Sequence, residues 1–292
     1  MIYHELFGQH LRLGNFAFKI AWSVAKWNQY KIQTYYPDYY LWKYLKVPPV
    51  ITTGQPNTRN VVRPLGWEYS EFRDNLLNSQ IAINQSNNKD SIISLDYFFQ
   101  SEKWFKGYEK EVIEFFSFKD EYIDLIKDKY SYILNRPEPT IAIGVRLGDF
   151  IGHNDFYQIP YTWYIEILEN YFPHWKERPV IIFSDHIEKA KEIFKDYPFF
   201  YPEPNNTHTH ADNFKHYHND AAEQFILGTL MDDWIIGNST FSWWQAYIAQ
   251  FNSPLNKVFH SGEVFSDKGK LKNIDTFNYY PHYWYKHGIE TK

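Results

Sequence analysis

Three short stretches carry side chains able to do chemistry, and each follows an apolar run. The first is Gly144-Val145-Arg146-Leu147-Gly148-Asp149. A guanidinium in that setting suits a phosphate, which it can hold through two parallel hydrogen bonds; it equally suits an ion pair with Asp149. The second is Phe183-Ser184-Asp185-His186. Its Asp185 fits a hydrogen bond to a ribose or base, or the cap of a following helix. The third is Asn238-Ser239-Thr240-Phe241-Ser242-Trp243-Trp244. Here small polar residues stand where a strand gives way to a helix, and unpaired N–H groups at such a junction bind anions. The competing reading is a Ser/Thr cap followed by two core tryptophans.

Positioning these groups requires strands that end together. Thr140–Val145 and Val180–Ser184 read as buried strands, and Trp234–Gly237 as a third. Helices are expected at Tyr161–Phe172, Ile187–Tyr197, Ala221–Met231 and Trp243–Phe251, with a last strand beginning at Lys257–His260. This alternation predicts a parallel sheet whose strands present their carboxyl ends on one edge, where ligands collect. In the first half, Leu13-Gly14-Asn15 reads as a turn before a helix over Phe16–Asn28. Residues 30–70 read as irregular with short strands. A strand is expected at Ser91–Leu95 and helices at Glu109–Phe116 and Lys119–Leu134. The Asn135–Pro139 break suggests two domains, 1–138 and 139–292.

Composition narrows the function. The 292 residues are 44% hydrophobic and 21% aromatic, enough for a substantial core, and the net charge of −5 argues against a nucleic-acid partner. The chain has no Cys, which removes disulfides, thiolate metal sites and a Cys nucleophile. Dinucleotide, P-loop and serine-elbow signatures are absent, and so is the Asp-x-Asp of metal-dependent glycosyltransferases. His208, His210, Asp212, His216, His218 and Asp220 form a cluster without known metal-ligand spacing. It is read as a solvated loop, with no metal site assigned. No signal-peptide pattern and no run of roughly 20 apolar residues is seen, so the expectation is a cytoplasmic protein.

The ordered motifs resemble the inverting α-1,2-fucosyltransferase family, which uses GDP-fucose. The family's His-x-Arg-Arg-Gly-Asp-Tyr is similar to Gly144–Phe150, its Phe-Ser-Asp-Asp to Phe183–His186, and its Asn-Ser-Thr-Phe-Ser-Trp-Trp to Asn238–Trp244. In the first half, Gln100-Ser101-Glu102-Lys103 follows the family pattern, and Gly14-Asn15 keeps part of another. The resemblance implies a GT-B-like α/β fold, two Rossmann-like domains facing a central cleft. It implies a nucleotide-sugar donor, a glycan acceptor, and neither a metal nor a cofactor beyond the donor itself. Membrane contact would be peripheral, through a lipid-linked acceptor. Arg146 would stabilise the leaving diphosphate, and Gly14 and Asn15 would close over the phosphates. Asp185 and the turn Asn238, Ser239, Thr240, Phe241, Ser242 would contact the nucleoside or phosphate. Asp149 is the candidate base, with His153 just beyond it. Gly144 and Leu147 replace a family His and Arg. The alternatives are therefore another nucleotide-sugar donor, or a non-catalytic glycan-binding relative.

Overall fold

A computed structural model of the chain describes residues 2–4, 12–36, 38–51, 61–62, 68–87, 89, 91–93, 99–203 and 214–289. The chain divides into two compact units, residues 1–119 with 275–281, and residues 120–274 with 282–292.

The first unit contains β1 (Ile2–His4), α1 (Leu13–Tyr30), β2 (Thr34–Tyr35), β3 (Val61–Val62), α2 (Glu71–Ser86), β4 (Ser91–Ile93) and α3 (Glu109–Phe115). Its strands pair in parallel in the order β2-β1-β4-β3. Helix α1 is the hub: Phe16, Phe18, Ile20 and Trp22 are fully buried, and Trp22 stacks on Phe99 at 4.6 Å. The helix starts at Leu13 rather than Phe16, so Gly14 and Asn15 lie in its first turn and not in a turn before it. Leu13 is buried there, which favours winding the helix back to include it. Helix α2 has no counterpart among the expected elements. It buries only Leu77 and Ile81 and leaves Phe72 exposed, so its apolar stripe is weak. Its start is nonetheless marked: the Ser70 hydroxyl accepts from Arg73 N, and Glu71 and Asp74 occupy the first turn. Of the strand expected at Ser91–Leu95, positions 94 and 95 lie outside the described residues.

The second unit contains α4 (Asp120–Lys129), α5 (Ser131–Leu134), β5 (Ile141–Val145), α6 (Tyr161–Tyr171), β6 (Val180–Ser184), α7 (Ile187–Ile193), α8 (Phe214–Thr229), β7 (Asp233–Ile236), α9 (Thr240–Asn252), β8 (Val258–His260) and β9 (Tyr285–Lys286). Its five strands are all parallel, in the order β6-β5-β7-β8-β9. The parallel α/β architecture expected from strand–helix alternation is therefore present. The division between units falls after Lys119, not after Glu138, because α4 and the residue after it are held by the second unit. Lys129 pairs with Glu223 of α8 at 3.2 Å, and Tyr130 Oη accepts from Glu203 N. Helix α8 begins at Phe214, seven residues before the expected Ala221, so positions 216, 218 and 220 of the His/Asp cluster have helical backbone. His208, His210 and Asp212 lie outside the described residues.

Registry in this sheet is set at its amino-terminal edge. Arg178 donates to Pro139 O at 2.7 Å and Thr140 O at 3.2 Å, and pairs with Asp233 at 2.5 Å. Asp232 accepts from both N and Oγ1 of Thr140, and Asp233 accepts from Lys257 N. These bonds tie the starts of β5, β7 and β8. Val145 then lies opposite Ser184, Gly144 opposite Ile236, and Ile236 opposite His260. Ile141, Ile143, Ile167, Leu168, Ile182 and Ile235 close the core on one face of the sheet.

His260 ends β8 almost buried, 6% exposed. Burial first, and then the Lys286 charge, pull its pKa down from 6.5 to about 3. The unfolded chain protonates this imidazole near 6.5, while the folded chain resists until about 3. The associated stability is thus complete above 6.5 and is lost as pH falls toward 3. Between about pH 6.5 and pH 5 the wild type should lose about 2 kcal/mol that the His260→Gln variant keeps. Urea unfolding of both proteins at the two pH values measures this difference.

Candidate active site

Strand β5 lies between β6 and β7 with all five residues buried, and its chain emerges at Arg146 on the carboxyl edge. The Arg146 side chain is 13% exposed. Its Nη2 lies 2.6 Å from Asp149 Oδ1, its Nε 3.0 Å from the same oxygen and 3.2 Å from Asp185 Oδ2. The guanidinium also lies 5.2 Å over the Phe150 ring, which stacks on Phe156 at 3.9 Å. Leu147 packs toward the core, so this loop is anchored by an apolar side chain where the resembled family carries a second Arg.

Asp185 does not cap α7. That position belongs to His186, whose Nδ1 accepts from Lys189 N at 3.3 Å. Asp185 instead reaches across to the β5 loop: Oδ1 accepts from Leu147 N at 2.8 Å and Oδ2 from Gly148 N at 3.0 Å. This clamp needs a glycine at 148, because a Cβ there would overlap Asp185 Oδ2. Both carboxylate oxygens are thus engaged by the loop that carries Arg146.

The third stretch forms the first turn of α9, which begins at Thr240 rather than at Trp243. Ser239 holds the cap position, yet its hydroxyl makes no cap hydrogen bond. The first-turn N–H groups of a helix have no partner within it, and the helix dipole adds partial positive charge there. Asn238 serves the backbone instead, its Nδ2 donating to Tyr157 O at 3.0 Å and Val264 O at 2.9 Å. It therefore ties the segment after Phe150 to the segment after β8. Phe241 packs edge-on against Phe225 of α8, and Thr240 is half-buried. Trp243 and Trp244 are fully buried, as core residues. Ser242 is buried against Gly144, where any Cβ would overlap its side chain. Gly144 O accepts from Gly237 N at 3.1 Å and from Tyr164 Oη at 3.4 Å. Burial raises the Tyr164 pKa and keeps its phenol a donor. The α9 start is thereby packed directly on β5, two residues before Arg146.

His153 follows Phe150 and lines a cavity of about 420 Å³ with Asp155, Lys268 and Lys270. Among the described residues no group of three or more His, Cys, Asp or Glu is arranged to hold a metal ion. No helix among them is long and apolar enough to cross a membrane.

In the first unit, Gln100 Nε2 donates to Asn15 Oδ1 at 2.9 Å, joining two stretches 85 residues apart. Beside them Phe99 holds φ +50, a left-handed conformation costly for an aromatic residue. Its fully buried ring, stacked on Trp22 and edge-on to Trp104 at 5.2 Å, holds it there. Gly14 is buried and Asn15 half-buried at the N-terminus of α1, whose cap residue Arg12 makes no side-chain cap bond.

Residues 83–255, more than half of the chain, match the family model of glycosyl transferase family 11. The chain belongs to glycosyl transferase family 11. The matched span includes Gln100, Arg146, Asp149, Asp185 and Asn238–Ser242, and leaves out Gly14 and Asn15. A curated relative is the O-antigen biosynthesis glycosyltransferase WbnK of Escherichia coli. It is 22% identical over 164 residues, 54% of this chain and 51% of that protein. The chain thus spans about half the length of the curated relative it matches. Two solved structures share the fold. An Arabidopsis thaliana FUT1 mutant in complex with GDP has a TM-score of 0.52 and 14% identity, covering 89% of this chain and 70% of its own. A family 9 glycosyl transferase from Veillonella parvula has a TM-score of 0.52 and 10% identity, covering 100% of this chain and 86% of its own. The fold is therefore GT-B-like, and it serves more than one glycosyltransferase family.

Sequence reasoning points to Arg146, Asp185 and the α9 start, but not to the contacts that Asp185 and Asn238 make. A carboxylate one residue past one strand and a Gly one turn past its neighbour are a signal for such a clamp, once the strands are known to be adjacent. The clamp gives a test. Asp185→Ala and Gly148→Ala should each cost about 1–3 kcal/mol. Amide exchange at Leu147 and Gly148 should speed up roughly tenfold or more in the Asp185→Ala protein. The double variant should cost little more than the larger single, because both changes remove one interaction. Denaturant unfolding and amide hydrogen exchange read these outcomes.

Proposed function

We propose that this family 11 member transfers fucose from GDP-fucose to a hydroxyl of a glycan acceptor, α-1,2 on a galactoside, with inversion and without a metal. The observation that carries the reading is the pairing of Arg146 with the uncapped start of α9 on adjacent strands of one sheet edge. A guanidinium and a row of N–H donors are what a leaving diphosphate needs. The family match supports glycosyl transfer. The GDP bound to the Arabidopsis FUT1 mutant supports the nucleotide, and the role of WbnK in O-antigen biosynthesis supports a glycan acceptor. The linkage, the inversion and the absence of a metal rest on the resemblance of the motifs.

In this reading the acceptor oxygen forms a bond to the anomeric carbon as the bond from that carbon to the β-phosphate oxygen breaks. The bonding pair leaves with GDP, and the acceptor proton passes to a carboxylate, for which Asp149 is the candidate. Arg146 and the α9 N–H groups meet charge that grows as the bond breaks, so they bind the transition state better than the ground state. Asp185 acts through Arg146 by holding its loop, and Asn238 acts through the backbone it ties. Gly14 and Asn15 are kept as candidate phosphate contacts on the resemblance of the motifs alone.

Gly144 and Leu147 favour a second reading, another nucleotide-sugar donor, since they remove a His and a positive charge from the resembled motif. Thermal-shift titration with GDP and UDP separates the two, with stabilisation by GDP expected. Purified protein given GDP-fucose and a panel of galactosides should form a fucosylated product, and EDTA should leave the rate unchanged. Arg146→Ala should lower turnover about 10²–10³-fold while the melting temperature holds. Folded, GDP-binding protein that neither transfers nor hydrolyses the donor would defeat the proposed activity.

A further inference from the structure

The cavity of about 420 Å³ beyond the Arg146 loop has a built frame and a chemistry of its own. Its volume falls in the range of pockets that hold small ligands, roughly 300–1,000 Å³. Two segments far apart in sequence make its walls and are fastened side by side. Asp155 Oδ1 accepts from Lys270 N at 2.5 Å, Asp155 O accepts from Ser266 N at 2.9 Å, and Tyr157 N donates to Val264 O at 3.2 Å. Phe156 and Phe265 pair across an antiparallel bridge. Gly269 is buried against Asp155, whose backbone a Cβ at that position would overlap. This frame uses backbone groups and Asp155, and leaves the Lys268 and Lys270 side chains out of the fastening.

The groups that the frame offers are mostly donors. Neither Lys268 nor Lys270 takes part in an ion pair among the described residues. His153 Nδ1 accepts from Asp155 N at 3.1 Å, so the neutral ring carries its proton on Nε2, as a donor. Asn154 adds an amide. Asp155 is the one acidic residue of the lining, and its Oδ1 is already engaged. Two ammonium groups against one carboxylate leave the lining with a charge of +1, in a chain whose net charge is −5. Glu263 and Asp267 do not line the cavity; after burial, they are what raises the pKa of Tyr157.

The cavity also stands close to the site already described. Phe150 lies 5.2 Å from the Arg146 guanidinium and stacks on Phe156 at 3.9 Å, and the His153 ring lies 5.0 Å from Phe156. One stack of rings therefore touches both Arg146 and the His153 wall of the cavity. We propose that this cavity is an anion subsite for the acceptor, taking one acidic group, a carboxylate or a phosphate, carried on a sugar of the glycan. A single negative charge matches a lining of +1, whereas a diphosphate is better met by Arg146 and the α9 start. As an acceptor subsite it rests on the transfer reading given above; as an anion site it stands on its own lining.

The test is saturation-transfer NMR on the full chain with methyl glucuronoside, glucose 1-phosphate and the neutral methyl glucoside. Wild type should bind at least one acidic probe about fivefold or more tightly than the neutral one, with and without saturating GDP, and the preference should shrink at high salt. A preference for the glucuronoside alone assigns the site to an acidic sugar, and one for the phosphate alone to a sugar phosphate. The Lys268→Gln/Lys270→Gln double variant should lose the preference while its melting temperature and GDP affinity hold. Equal binding of the neutral sugar, displacement of the acidic probe by GDP, or a preference kept in the double variant would each overturn the subsite. Wild-type protein that binds no GDP would defeat the donor reading without touching the anion preference, so the two failures are distinct.

Discussion

The second unit depends on one carboxylate. Asp185 leaves the end of β6 and accepts two amides of the loop that follows β5, while the same side chain contacts Arg146. Backbone N–H groups at a strand end need partners, and a charged acceptor is a strong one. Asp185 provides that partner and so determines where the only arginine of the loop stands. Gly148 makes the approach sterically possible. Everything the Arg146 segment can do chemically follows from this cross-strand attachment.

A second constraint works from the other neighbour of β5. Gly144 lets the start of α9 come down on the strand, and Ser242 occupies the space that a side chain at 144 would fill. Behind it, Trp243 stacks on Tyr247 at 4.7 Å and meets the Trp284 ring at 5.4 Å, so the helix is seated by aromatic burial rather than by a cap. The Ser239 hydroxyl makes no cap hydrogen bond, so the first-turn N–H groups have no acceptor from the cap side chain. Asn238 then fastens the two segments that run beyond the sheet edge. The resulting edge combines a guanidinium, a helix start and two carboxylates.

What is legible in the sequence is what local pattern writes. The strands β5, β6 and β7 are readable from β-branched apolar runs, and Arg146, Asp185 and Asn238–Ser242 as the residues that end them. Helix α2 escapes such a reading because two buried residues in sixteen make a poor stripe, although Ser70 and its acidic first turn mark its start. The helix boundaries at Leu13 and Thr240 differ from expectation because packing extends each helix over residues that look like turn formers. The unit division differs because the Lys129–Glu223 and Tyr130–Glu203 contacts span long stretches of chain.

By itself the amino-acid order determined the α/β class, the family motifs and the identity of the chemically able residues, since these depend on periodicity and on short fixed spacing. The tertiary structure decided how those residues are engaged. Asp185 clamps the β5 loop instead of capping α7, and Asn238 ties two segments beyond the sheet edge. Such roles are set by which strand lies beside which and by registry across the sheet. The Leu147–Asp185 and Thr140–Asp232 bonds join residues 38 and 92 positions apart, beyond the reach of any local pattern.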